Sequence, residues 1–230
     1  IFNGLGTITR KQKIINLDAK PRKLERLLSG VLELRNQDFE LLHLSGAWLK
    51  ERHIKSTLLT QGTISVGSLK GASSHQHNPF VALKEKCATN DVGRVYGANL
   101  IYSGNFLAQV EMDEWDNVRL MLGIHPEQFT WTLDQGACFE APECLFTFTE
   151  NGLNGLSQES ARFVEKHVIS PYWQKRDRPI VFNNWEATYF DFDEEKLLAL
   201  AKESHSLGME CFVLDDGWFG KRNDDRSSLG

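Results

Sequence analysis

The chain has 230 residues, 41% of them apolar and 25% charged, and 26 basic against 31 acidic side chains leave a net charge of −5. That is enough apolar material for one large domain or two small ones, and the acidic balance argues against a broad nucleic-acid-binding face. No apolar run approaches the ~18–20 residues that a membrane-spanning helix needs. The opening residues carry turn signals at Asn3-Gly4 and Asn16, while residues 23–28 fit a helical turn or a strand equally well. The basic residues between Arg10 and Arg26 are interrupted by Asp18 and Glu25, as on a solvated face.

From Val31 the pattern alternates. Val31, Leu32 and Leu34 are followed by Phe39, Leu41, His43 and Ser45, with Gly46 as punctuation. Similar short runs recur at residues 63–66, 80–83, 99–102, 106–110, 118–122 and 129–133, divided by turn signals such as Gln61-Gly62, Gly71 and Gln135-Gly136. Many short strands at this spacing predict an all-β sandwich. Residues 150–155 read as a Gly/Asn-rich connection. Ser157 then resembles an N-cap with Leu156 as a staple, which predicts a helix over 158–167. Residues 169–178, closed by Arg178-Pro179, read as a linker.

The terminal stretch changes character. Ile180, Val181 and Phe182 run into Asn183, Asn184, Trp185 and Glu186; a helical pattern follows, and residues 211–214 run into Asp215, Asp216, Gly217 and Trp218. This predicts strand, helix, strand. Asp191 or Asp193 caps the helix at its start and Gly208 at its end. One βαβ crossover cannot bury both faces of its sheet, so it reads as the opening of a larger α/β domain.

Functional side chains in parallel α/β folds gather at the carboxyl ends of strands. Asp215 and Asp216 sit at one such end, and adjacent carboxylates there suit hydrogen bonds from neighbouring sugar hydroxyls. Metal binding, catalysis and a plain Asp-Asp-Gly turn remain open from the residues alone. Trp185 and Trp218 follow the two strand ends as pocket walls or as core residues, since an indole face packs well on a pyranose. Glu186 beside Trp185 is a weak general-acid candidate. His75 and His77 lack a visible third metal ligand, so hydrogen bonding within a turn competes with a metal site. Trp48, beside a glycine in the β region, is a core or a surface residue. Cys87, Cys138, Cys144 and Cys211 form no CxxC pair and read as reduced thiols of a cytoplasmic protein, with Cys211 packed as a small hydrophobe.

The motifs NNWEATYFDF and FVLDDGWFG resemble the start of the catalytic barrel of glycoside hydrolase family 36, the bacterial α-galactosidases. SSHQHNPF (73–80), GRVYGANLIYSGNF (93–106) and GIHPEQFTW (123–131) resemble that family's amino-terminal β-domain. The resemblance implies a multidomain β plus α/β chain: an amino-terminal β-sandwich (super-sandwich) over 1–176, then the first βαβ unit of a (β/α)8 barrel over 177–230. It implies a retaining enzyme that hydrolyses terminal α-D-galactosyl groups of oligosaccharides such as melibiose and raffinose. α-N-acetylgalactosaminidase and a non-catalytic carbohydrate-binding sandwich are the alternatives. Asp215 and Asp216 would then hold galactose hydroxyls, with Trp185 as a pocket wall. Trp48 would match an aromatic lent to a neighbouring subunit in the family's tetramers. The family's nucleophile and acid/base, both Asp, belong to later barrel strands, so the chain reads as a fragment that is inactive alone. No motif implies a metal or organic cofactor, a nucleic acid or a membrane.

Overall fold

The computed structural model describes residues 1–36 and 38–228. It divides the chain into two compact units, residues 1–168 and 169 to the end; the sequence places the change of domain eight residues later, at 176/177. Among the described residues no helix is long and apolar enough to cross a membrane.

The first unit is built from strands. In chain order they are β1 (Thr7–Arg10), β2 (Lys13–Ile15), β3 (Arg22–Leu24), β4 (Gly30–Arg35), β5 (Phe39–Ala47), β6 (Lys50–Leu58) and β7 (Gly62–Gly67). Then come β8 (His77–Glu85), β9 (Val95–Leu100), β10 (Phe106–Met112), β11 (Asn117–Ile124), β12 (Trp131–Leu133), β13 (Cys138–Glu140) and β14 (Cys144–Thr149). A six-stranded sheet runs β1-β14-β9-β8-β5-β6 and a four-stranded sheet runs β4-β11-β10-β7. All their pairings are antiparallel. Two small ribbons, β12-β3 and β13-β2, complete the unit. The predicted sandwich is present.

The core lies between the two sheets. Phe39, Leu41, Val81, Leu83 and Phe146 from the larger sheet meet Phe106, Val110, Val118, Leu120 and Leu122 from the smaller. Strand β10 shows why: its side chains alternate between buried and half-buried along its whole length, the period-two signature of a sheet with one face inward. The other face of the larger sheet carries a second apolar layer, in which Leu42, Ala82 and Val95 pack with Leu156 of helix α1 (Gly152–Phe163). Gly97 of β9 makes room for that helix. A Cβ there would lie 2.5 Å from Leu156 Cδ1, inside contact distance.

The start of α1 departs from expectation. The helix begins at Gly152, not near Ser157, and Asn151 makes no capping bond through its side chain. The free N–H groups of Gly152, Leu153 and Asn154 donate instead to the carbonyls of Gly93, Thr89 and Asn90. Backbone from a distant loop does the work of a cap, so the segment 150–155, read as a connection, is mostly helix. A five-residue π turn, Val164–Val168, continues it. Strand ends also shift: the run at 99–102 belongs to a strand that is over by Leu100, and that at 129–133 is strand only from Trp131.

The second unit holds β15 (Val181–Asn183), the short helix α2 (Trp185–Thr188), helix α3 (Glu194–Ser206) and β16 (Cys211–Val213). The two strands pair in parallel, with Val181 opposite Cys211 and Asn183 opposite Val213, as the crossover reading predicts. Asp193 is the N-cap, its Oδ1 accepting from the Lys196 N–H at 2.8 Å. At the other end Gly208 has φ of +89°. Its N–H donates to the His205 carbonyl and the Met209 N–H to the Ser204 carbonyl, both at 3.0 Å, which is a Schellman ending. Cys211 is exposed, contrary to its reading as a packed hydrophobe. Among the described residues its strand pairs only with β15.

Candidate functional site

The ends of β15 and β16 are joined by side chains, and Asn184 is the centre of that junction. It is fully buried. Its Oδ1 accepts the Asp215 N–H at 2.8 Å, its Nδ2 donates to Thr188 Oγ1 at 3.0 Å, and its own N–H donates to the Val213 carbonyl at 3.2 Å. A buried amide satisfied on both ends fixes the backbone from which the next residues project. Asn183 adds a second tie: its Nδ2 donates to Asp215 Oδ2 at 2.6 Å while its Oδ1 accepts the Trp185 N–H at 2.8 Å.

Asp215 and Asp216 then leave the strand in successive turns. Asp215 Oδ1 accepts the Asp216 N–H, and Asp216 Oδ1 accepts the Gly217 N–H, both at 2.8 Å. Gly217 has φ of +92°, a backbone state in which a side chain is strained. Both carboxylates nevertheless line one groove, although adjacent residues in a regular strand would face opposite sides. Val213, Leu214, Asp215, Asp216, Trp218, Phe219 and Arg222 line an open groove of about 640 Å³.

The two carboxylates differ in their electrostatics. Asp216 is gripped by Arg222, whose Nε donates to Oδ1 at 2.9 Å and Nη2 to Oδ2 at 2.7 Å. Arg222 is buried, its Nη1 donates to the carbonyls of Asp224 and Ser227, and its guanidinium lies 5.4 Å from the centre of the Phe190 ring. That hydrogen-bonded guanidinium holds the Asp216 carboxyl below its usual range, against the opposing effect of desolvation. Asp215 is exposed, and among the described residues its side chain is held by Asn183 and not by a cation. One carboxylate is therefore paired with a buried cation, and the other, held by neutral donors, is open to solvent.

The groove unites Asp215, Asp216 and Trp218 and leaves out the other candidates. Trp185 stands at the end of the neighbouring strand, half-buried, with its ring edge-on to Tyr189 at 5.4 Å and Phe190 at 4.9 Å. Trp48 belongs to the first unit, at the tip of the β5–β6 hairpin. It is 77% exposed, next to Leu49 with φ of +60°, whose N–H donates to Glu51 Oε1. His77 opens β8, its ring 5.7 Å from that of His43, and Ser74 Oγ accepts the Gln76 N–H in the preceding turn. No group of three metal-ligating side chains occurs among the described residues. Sequence reasoning missed Asn183, Asn184 and Arg222. Arg222 had a signal, since two adjacent carboxylates on a short loop favour a nearby cation, but KRNDDR reads more simply as a solvated charge run.

Comparison with known proteins decides the family. A model described as the glycosyl hydrolase family 36 N-terminal domain matches residues 1–134, and a model described as melibiase matches residues 138–230. The chain belongs to glycoside hydrolase family 36. Family 36 relatives include alpha-galactosidase AgaA of Geobacillus stearothermophilus, 46% identical over 97% of this chain, and alpha-galactosidase 1 of Pediococcus pentosaceus, 43% identical over all of it. The crystal structure of the alpha-galactosidase from Lactobacillus brevis superposes over 100% of this chain with a TM-score of 0.95 at 43% identity. A variant of the Geobacillus enzyme in complex with stachyose superposes with a TM-score of 0.93 at 44% identity. The chain spans 31% of the length of each of these proteins or 32% in the stachyose complex. The β-sandwich followed by a strand–helix–strand unit is thus the arrangement of family 36 α-galactosidase structures.

Proposed function

We propose that this chain supplies part of the substrate-binding apparatus of a retaining α-galactosidase acting on terminal α-D-galactosyl groups of oligosaccharides. The carrying observation is the Asp215–Asp216 pair at the end of β16, held by Asn183, Asn184 and Arg222 in one groove. The homologues bound to stachyose and raffinose point to raffinose-type sugars as the substrate class.

The geometry favours binding over bond cleavage for these two groups. A general acid must carry a proton at working pH, and Arg222 keeps Asp216 ionised. Retaining chemistry also needs two carboxyls ~5–5.5 Å apart across the scissile bond, a placement that adjacent residues on one turn do not provide. As ionised acceptors, however, Asp215 and Asp216 take hydrogen bonds from vicinal hydroxyls, each worth about 1.5–3 kcal/mol when the acceptor is charged. Trp218, 64% exposed, offers an apolar ring beside them. Trp185 acts by fixing the loop or by walling the pocket in the complete barrel. Trp48, presented on an exposed hairpin tip, contacts a neighbouring subunit in a cytoplasmic homo-oligomer.

The test is a chimera in which these residues replace the matching segment of the Lactobacillus brevis enzyme. Asp215→Asn and Asp216→Asn should each lower kcat/KM for raffinose about 10- to 100-fold. Unchanged turnover in the double variant contradicts the binding role.

A further inference from the structure

A second groove, on the β-sandwich, has the chemistry of a sugar platform. It measures about 670 Å³, within the range of small-molecule sites, and lies where the β12 and β13 ribbons approach the turn after β9. Its floor is aromatic. Phe139 sits between Trp131, at 5.4 Å between ring centres, and Phe129, at 5.6 Å. The outermost ring, Trp131, remains 50% exposed, and Tyr102 on the far side 39%. These rings are fixed by backbone pairing, Trp131 opposite Leu24 and Phe139 opposite Ile14.

The rim is charged and already oriented. Glu140 Oε2 accepts from Lys11 Nζ at 2.5 Å and Oε1 from Lys13 Nζ at 3.2 Å. Each carboxylate oxygen keeps a free lone pair and each ammonium keeps further N–H donors. An apolar ligand would gain nothing from such a rim and would pay to desolvate it. A pyranose fits both halves: its C–H face stacks on an indole, while its edge hydroxyls donate to Glu140 and accept from Lys11.

We propose that this groove is a non-catalytic binding site for an oligosaccharide, with Trp131 as the stacking surface and Glu140 and Lys11 as the hydroxyl-binding pair. The choice of galactosyl sugars as its ligand rests on the proposed function; the stacking geometry does not. The site belongs wholly to the first unit and shares no residue with the Asp215–Asp216 groove.

The six tryptophans of the chain give six indole N–H signals in a ¹H–¹⁵N spectrum, so stachyose titration of the 230-residue chain reads both sites at once. The Trp131 signal, assigned with Trp131→Phe, should move in a saturable way, with Kd on the order of 1 mM. Glu140→Gln should weaken that response about tenfold, and Asp216→Asn should leave it unchanged. A Trp131 signal that stays fixed while Trp218 moves overturns this proposal and leaves the barrel-side reading standing. A Trp131 signal that moves while Trp218 stays fixed supports this site, and the barrel-side reading is tested by the chimera. Movement of Trp131 that Glu140→Gln leaves intact overturns the assigned role of the rim.

Discussion

At the scale of single residues, the Asp216–Arg222 pair has a defined pH signature. The Arg222 hydrogen bonds lower the Asp216 pKa in the folded state, so the carboxylate contributes stability that is fully present above the unfolded pKa of ~3.9. That contribution disappears only as pH falls through the lower, folded pKa. In a carboxyl-carbon NMR titration, Asp216 should therefore titrate below the ordinary carboxylate range, and Arg222→Ala should move its midpoint upward. An unchanged midpoint would mean that the ion pair does not form. The cysteines make a second residue-scale prediction. Cys144 is buried between the sheets and its thiol is pushed up to about 12, mainly by desolvation. Cys87, Cys138 and Cys211 are exposed. At mildly alkaline pH a thiol reagent should label those three in the native chain and reach Cys144 only after unfolding.

At the scale of elements, what the sequence revealed depended on whether local chemistry did the structural work. Strands β10 and β11 were visible because one face is buried and the other is not. Strand β6 was not, because all nine of its residues are exposed on the sheet edge and no alternation results. Helix α3 carries both its signals in its own residues, the Asp193 cap and the Gly208 ending. The start of α1 carries none, because its N–H groups are satisfied by carbonyls some sixty residues earlier in the chain. These two ends should respond differently to mutation. Asp193→Ala should destabilise α3 by about 1 kcal/mol, seen as faster amide exchange in its first turn. Asn151→Ala, which removes no capping bond, should leave exchange in α1 nearly unchanged. Within the candidate groove Asp215, Asp216 and Trp218 were legible as residue types at a strand end, whereas Trp185 and Trp48 lie outside it. The buried clamp of Asn184 was not legible, because an amide inside a polar run gives no hint of burial before the fold is known.

At the scale of the molecule, the two units differ in how much apolar surface they enclose. The sandwich buries large side chains completely, among them Phe39, Phe106 and Leu120. In the second unit Ile180, Val181, Leu198 and Leu207 are each more than half exposed, from 51% to 71%. Leu120→Ala should therefore cost about 2–5 kcal/mol in denaturant unfolding of the sandwich, whereas Leu198→Ala should cost little in the chain by itself. Domain order was legible because the change from alternating strands to strand–helix–strand is abrupt in the sequence.

The central claim is that these 230 residues bind the galactosyl end of the substrate in a retaining α-galactosidase. The most direct measurement is raffinose turnover by the chimera with the Lactobacillus brevis enzyme, followed by NMR of the first-released sugar. The account predicts that the folded chimera liberates α-galactose and that Asp215→Asn combined with Asp216→Asn largely abolishes this. A folded chimera that releases no galactose, or releases the β-anomer first, would contradict it.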